Sequence, residues 1–203
     1  MPAAASDERR RKRKNFATST SPTKTSNNIK KNKTKISKDV LVNNAAFQGE
    51  AVDSIAQVAA QRFESTLSVN VVAPFRLVQL ALPRMQPGSS VIFTSSIEAT
   101  QPEAFIVDYA ASKAAVTSLV RSLAPELASK HRIRVNAVCP GPVHTMIPIT
   151  SFSSEKMRRF GETYPLGRAA QPCECASAFV FLADPENTYV AAAEIAVTGG
   201  TPL

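Results

Sequence analysis

The segment Val91-Ile92-Phe93-Thr94-Ser95-Ser96 is followed, thirteen residues after Ser96, by Tyr109-Ala110-Ala111-Ser112-Lys113. Its first four residues form an unbroken apolar and β-branched run, which predicts a strand buried on both faces. Beyond 109 the period changes. Val116, Val120, Leu123 and Leu127 recur at i, i+4, i+7 and i+11 and predict a helix over 109–128. Such a strand delivers the Ser96 hydroxyl to the mouth of a sheet, and the helix sets Tyr109 and Lys113 one turn apart on a shared face.

The same alternation extends in both directions. Upstream, Val40-Leu41-Val42 running into Asn43-Asn44 reads as another buried strand, followed by helices over 55–68 and 71–85 that end at Pro83, Pro87 and Gly88. Downstream, Ile133 to Cys139 is a strand stopped by Pro140-Gly141. A looser region over 142–171 carries Pro142, Pro148 and Pro165. Pro172 opens a helix to about Leu182, and Ala193 to Val197 is a last strand before Gly199-Gly200. Strands alternating with helices predict an α/β fold, a parallel sheet covered on both faces. No internal repeat is present.

The chemistry is concentrated at Ser96, Tyr109 and Lys113, with Asn70 upstream. A lysine ammonium beside a tyrosine can draw the phenol pKa down from about 10, and a phenol so tuned can give or take a proton at a carbonyl or alcohol carbon. Ser96 could hydrogen-bond the same substrate oxygen. A Tyr-x-x-x-Lys spacing alone is commonly a surface coincidence; here it stands in an ordered series.

The net charge of +8 divides by position. Residues 1–38 hold twelve Lys/Arg against Asp7 and Glu8, and residues 39–203 are slightly acidic. Residues 1–38 offer only Phe16, Ile29 and Ile36 as large apolar side chains, so they read as a disordered basic tail, with the folded domain over 39–203. The Arg9–Lys14 run is open to two readings, a nuclear-import or phosphate-binding segment and a solvated tail without a role. Its lack of aromatic interleaving favours the second and argues against a nucleic-acid partner. The chain carries neither a signal peptide nor an apolar run of about 20 residues, which excludes an integral membrane protein. Three cysteines fit a reducing, cytoplasmic setting. Cys173-Glu174-Cys175 has no zinc spacing to His131 or His144, so no metal is expected.

The ordered set Asn43-Asn44-Ala45, Asn70, Ser95-Ser96, Tyr109-x-x-x-Lys113 and Pro140-Gly141-Pro142 resembles the short-chain dehydrogenase/reductase family over residues 39–200. Gly141-Pro142-Val143-His144-Thr145, Pro165-Leu166-Gly167-Arg168, Gln171-Pro172 and Val197-Thr198-Gly199-Gly200 are similar to its glucose/ribitol dehydrogenase-like branch. The resemblance implies the C-terminal part of a Rossmann-type doubly wound sheet. It also implies an NAD- or NADP-dependent enzyme interconverting a small-molecule alcohol, a sugar or polyol among the candidates, and a carbonyl. Tyr109 would be the general acid/base, Lys113 would tune it and hold the nicotinamide ribose, Ser96 would orient the substrate and Asn70 would support a proton relay. Asn43 and Ala45 would line the adenosine side, and Pro140, Gly141, Val143 and Thr145 the nicotinamide. Residues 146–164 would form a substrate lid. The family's helices over 71–85 and 109–128 imply a homo-oligomer, a tetramer in the family, or pairing with a full-length sibling.

Two departures set a rival reading beside this one. The family's Gly-rich phosphate turn has no counterpart before Asn43, because residues 1–38 contain no glycine. The strand at 40–43 is then expected to be an open apolar edge. Impaired cofactor binding follows, and the alternative is a catalytically inactive fragment or partner-binding remnant. NAD and NADP both stay open. In the last stretch Ala191-Ala192-Ala193 stands where the family commonly has a glycine, a change expected to disturb a tight turn.

Overall fold

The computed structural model describes residues 40–203; the expectations for the tail over 1–38 lie outside the described residues. Four strands, β1 (Val40–Asn43), β2 (Ser90–Thr94), β3 (Arg134–Pro140) and β4 (Glu194–Val197), pair in parallel in the order β1-β2-β3-β4. Asn43 is level with Phe93, and Phe93 with Ala137, so the strands end together along one edge of the sheet.

The helices are α1 (Ala60–Leu67), α2 (Ala73–Ala81), α3 (Val107–His131), α4 (Met146–Ser151), α5 (Ser154–Arg158) and α6 (Pro172–Ala183). Consecutive strand residues face opposite ways, and both ways are apolar. Val91, Phe93, Val135 and Ala137 pack with Val78 of α2 and Val116, Val120 and Leu127 of α3. Ile92 and Val138 pack with Ala178 and Leu182 of α6 on the other face. That double burial explains the unbroken apolar runs of the strands. The expected α/β architecture is observed.

Local chemistry sets the element ends. Pro172 sits in the first turn of α6, where Glu174 accepts from Gln171 N at 2.8 Å and pairs with both Arg168 Nη atoms at 2.7–2.8 Å. Helix α3 ends at Arg132, which takes the left-handed conformation with φ 57.

Two expectations are corrected. The helices read over 55–68 and 71–85 are one helical run from Ala60 to Arg84, joined by a π-helical turn at Ser68–Val72. That run of 25 residues is long and apolar enough by length and composition alone to cross a membrane. Here it packs on α3 through buried Thr66 and Asn70, with Val78 in the core against the sheet. Residues 142–171, read as irregular, contain α4 and α5. Among the described residues β1 pairs on one side only, and Val40 and Val42 are exposed.

Candidate active site

A cavity of about 1160 Å³ opens beyond the C-terminal ends of β1, β2 and β3. Ser95 and Ser96 follow β2 directly. Ser95 Oγ donates to the Lys113 carbonyl at 3.1 Å and pairs with Thr117 Oγ1 at 3.0 Å, which locks the strand end to α3. Ser96 caps the 3₁₀ turn Ile97–Ala99, its Oγ accepting from Glu98 N at 3.2 Å. Ser96, Tyr109 and Lys113 all line the cavity.

Tyr109 lies in the first turn of α3, and this turn is anchored by a buried ion pair. Arg62 reaches both oxygens of Asp108, at 3.0 and 2.9 Å, and Thr66 Oγ1 donates to Oδ2 at 2.7 Å. Burial alone would raise the Asp108 pKa, but the Arg62 and Thr66 hydrogen bonds outweigh it and hold the carboxyl below its usual range. Sequence reasoning missed this pair, because its partners lie 46 residues apart.

Lys113 is buried, and Nζ donates to the Thr94 carbonyl at 2.7 Å, lying 5.3 Å from the Tyr109 ring centroid. Burial pulls the ammonium down to about 8. Burial likewise pushes the Tyr109 phenol up to about 12; the neighbouring Ser96 hydroxyl opposes this and the Glu98 charge adds to it. The expected lowering of the phenol is therefore not seen in this state: desolvation dominates, and one ammonium donor is committed to Thr94.

Asn70 is buried at the π-helical turn and does not line the cavity. Its Oδ1 accepts from Phe47 N at 2.7 Å, and Nδ2 donates to the Phe47 carbonyl at 2.8 Å and to Ser112 Oγ at 2.9 Å. The side chain thus pins the loop after β1 to α3.

Of the residues expected against a cofactor, Tyr109, Lys113, Pro140, Gly141, Val143 and Thr145 line the cavity. Asn43 and Ala45 do not; their neighbours Asn44 and Ala46 do. Asn43 is instead buried, and neither side-chain polar atom has a partner among the described residues. Gly141 passes so close to Thr198 that a Cβ would lie 3.0 Å from its Cα. These features fit the nicotinamide–ribose end of a dinucleotide. Lys113 keeps two N–H donors beyond its bond to Thr94, and Pro140, Gly141, Pro142, Val143 and Thr145 line the same cavity. His144 is exposed and packs edge-on against Phe160, with ring centroids 5.8 Å apart.

Glu98, Glu103 and Phe105 were not anticipated in the lining. They join Phe152, Lys156 and Tyr164 of the expected lid there. The lid is stitched down by Ala51 N to the Ser151 carbonyl at 2.9 Å and by Ser151 Oγ to the Gln48 carbonyl at 3.3 Å. Among the described residues no three His, Cys, Asp or Glu gather to hold a metal ion.

Residues 17–202 match the family model described as enoyl-(acyl carrier protein) reductase. Glucose and ribitol dehydrogenase of Daucus carota is 41% identical over 162 residues, 80% of this chain and 55% of the relative. The uncharacterized oxidoreductase YghA of Escherichia coli is 43% identical over 154 residues, 75% of this chain and 52% of the relative. The chain therefore spans about half the length of the curated relatives it matches. Among solved structures, 3-ketoacyl-(acyl-carrier-protein) reductase from Brucella melitensis complexed with NADH matches at 27% identity and TM-score 0.71, over 80% of this chain and 66% of that one. The angucycline C-6 ketoreductase LanV with bound NADP matches at 29% identity and TM-score 0.72, over 80% of this chain and 62% of that one.

Proposed function

This chain belongs to the short-chain dehydrogenase/reductase family, and from that membership we propose that its site interconverts an alcohol, a sugar or polyol in the first instance, and the corresponding carbonyl with NAD or NADP. The observation that carries the reading is the convergence of Ser96, Tyr109 and Lys113 on one cavity wall beside Pro140, Gly141, Val143 and Thr145.

The chemistry follows from these groups. The Tyr109 hydroxyl, protonated at neutral pH, donates its proton to a substrate carbonyl oxygen, and in the reverse direction the same oxygen, once deprotonated, accepts the alcohol proton. The Ser96 hydroxyl holds that same oxygen and limits where it sits. Lys113, one turn below, offers its free N–H donors to the ribose while Thr94 fixes its position. A bound nicotinamide dinucleotide supplies or takes the hydride. The lid residues 146–164, tied to Ala51 and Gln48 through Ser151, form part of the cavity wall.

A second reading has its own support. Residues 1–49 contain one glycine, Gly49, and β1 leaves Val40 and Val42 exposed at its edge, with an Asn43 side chain that has no partner among the described residues. On that reading the chain binds cofactor weakly, or works as a non-catalytic remnant joined to a second subunit. Exposed Val69, Val72, Leu77 and Leu80 on the 60–84 run support a homo-oligomer or a sibling partner. Cysteines without a disulfide, Cys139, Cys173 and Cys175, support a cytoplasmic setting.

Formation of reduced dinucleotide from a panel of polyols and aldoses at high cofactor concentration separates the two readings. Turnover that is lost in Tyr109→Phe supports the enzyme. No turnover with any alcohol supports the remnant.

A further inference from the structure

The lid is fastened to the rest of the fold unevenly. At its start, the Ser151 carbonyl accepts from Ala51 N at 2.9 Å and Ser151 Oγ reaches the Gln48 carbonyl at 3.3 Å. Just past its end, Leu166 N donates to the Gly199 carbonyl at 3.0 Å. Among the described residues, the hydrogen bonds of 153–163 stay within the lid, as from Met157 N to the Ser153 carbonyl and from Tyr164 N to the Gly161 carbonyl. The ion pair of Arg159 with Glu162, at 3.1 Å, is internal as well. Yet Ser153, Glu155, Lys156, Arg159 and Phe160 of this stretch line the cavity that Tyr109 also lines.

Lys156 of α5 crosses that gap. Its ammonium lies 3.3 Å from the ring centroid of Phe105, in the 3₁₀ turn Ala104–Ile106 that leads into α3, and 4.4 Å from that of Phe152 in the lid. The two rings meet edge-on, with centroids 5.9 Å apart. Phe105 is a fixed anchor, because Val52 N donates to its carbonyl at 3.0 Å. A cation over a ring face is attracted by the ring quadrupole, and the gain grows as water leaves. The nearby carboxylates are not its partners. Glu98, Glu103, Glu155 and Glu162 line the same cavity with Arg159, but Lys156 enters no ion pair among the described residues. Glu98 turns to Glu103 N at 2.8 Å, and Glu162 is taken by Arg159. Burial draws the Lys156 ammonium below its usual range, against the Glu103 and Glu98 charges, which marks it as partly stripped of water. The residue as a whole is exposed, so the link can break without repacking the core.

We propose that Lys156 is a positioning residue: its ammonium, held on the Phe105 ring, latches α5 to the segment that leads into Tyr109 and so keeps the lid wall of the cavity in place. The inference deepens the alcohol–carbonyl reading of the same site and rests on it only for what the lid encloses. Releasing the latch frees residues 153–163 and leaves Ser96 and Lys113 where they are, since their hydrogen bonds run to Glu98 N and the Thr94 carbonyl. The latch therefore acts on how a ligand is held and not on the proton-transfer groups.

Amide hydrogen exchange of the full chain, read by mass spectrometry over residues 153–163, tests this. Lys156→Met removes the charge and keeps an unbranched stem; Phe105→Leu removes the ring and keeps an apolar side chain. Each should speed exchange of the segment about threefold or more, the scale of one cation–π contact. The double variant should exchange no faster than either single one, because both remove the same contact. Lys156→Arg keeps a cation over the ring and should return exchange to the native rate. Peptides from β2 and β3 should keep native protection in every variant, which separates an opened lid from a misfolded protein. Unchanged exchange of 153–163 in Lys156→Met, additive effects of the two substitutions, or Lys156→Arg behaving as Lys156→Met overturns the proposal. Faster exchange throughout the chain overturns it too, since the lysine would then support the whole fold. The parent reading fails separately. Lys156-dependent exchange without dinucleotide reduction by any alcohol sinks the enzyme and leaves the latch standing. Oxidation of an alcohol by a chain whose lid exchanges alike with and without the Lys156 charge does the reverse.

Discussion

Arg62 on α1 and Asp108 on α3 form a bidentate ion pair, with Asp108 fully buried and Arg62 largely so. Asp108 directly precedes Tyr109, so the pair fixes the helix turn that carries the phenol. It does so from a helix that itself never reaches the cavity wall.

Arg62→Ala should therefore cost about 3 kcal/mol of stability at pH 7, because it strands a buried carboxylate. The Asp108 pKa is lowered in the fold, so its stabilising contribution is present above the unfolded carboxylate pKa and is lost as pH falls through the folded value. The gap between the two proteins should close on acidification. Urea melts at pH 7 and pH 3 measure it, and a gap of equal size at both pH values would rule out the ion pair as its source.

Tyr109→Phe should abolish turnover wherever the native chain turns over, with the melting midpoint moving by no more than a few degrees. The ring keeps its packing, and the raised phenol pKa means that no buried charge is removed at neutral pH. Steady-state rates and thermal melts on the same samples decide this. Retention of most of the rate would remove Tyr109 from the proton transfer.

Lys113 gives a prediction with a definite sign. Its folded pKa is about 8 against about 10.5 unfolded, so between those values the unfolded chain holds more protons and stability rises with pH. The stability of the native chain relative to Lys113→Met should move in favour of the native chain by about 2 kcal/mol from pH 7.5 to 9.5. Tyr109 titrates in both proteins and cancels. Chemical denaturation across that range tests it, and a flat difference would show that the ammonium is not desolvated as its burial requires.

Ala192 adopts φ 58, the left-handed region, and its N–H donates to the Val135 carbonyl at 2.8 Å. The turn expected to suffer from a missing glycine is therefore formed, with an alanine bearing the strain. Ala192→Gly should stabilise the fold by about 0.5–1 kcal/mol, the left-handed penalty relieved less the added freedom of the unfolded chain. Ala191→Gly, at a position without positive φ, should destabilise slightly. Equal effects at both positions would contradict the strain argument.

The sheet and its flanking helices were legible because their signals are local. Val91–Thr94 and Ile133–Cys139 are apolar on both faces, and Pro172 marks the first turn of α6. The joining of the 60–84 run was not legible. Its π-helical turn answers to Asn70, whose side chain is held by Phe47 and by Ser112, 42 residues away. Glu98 and Lys156 were invisible for the same reason, since no spacing links a turn after β2 to a five-residue helix in the lid. The phenol pKa also escaped the sequence: the i, i+4 spacing puts an ammonium near Tyr109 but says nothing of how much water the fold removes.

The last prediction concerns cofactor affinity. Dinucleotide sites hold the pyrophosphate on backbone N–H groups of a Gly-rich turn at a helix N-terminus, where glycine permits the close approach. Residues 1–49 hold Gly49 alone, and Gly49 is buried against the Arg62 side chain, where a Cβ would collide with the guanidinium. Lys113, Gly141 and Thr145 can serve the nicotinamide end, but none of them replaces that turn. The 203-residue chain should therefore bind NADH and NADPH no more tightly than about millimolar, about 4 kcal/mol of binding free energy. Titration calorimetry with both reduced dinucleotides on monodisperse protein measures it. Micromolar affinity for either would mean that residues 1–39 supply a phosphate site built on basic side chains in place of glycine backbone.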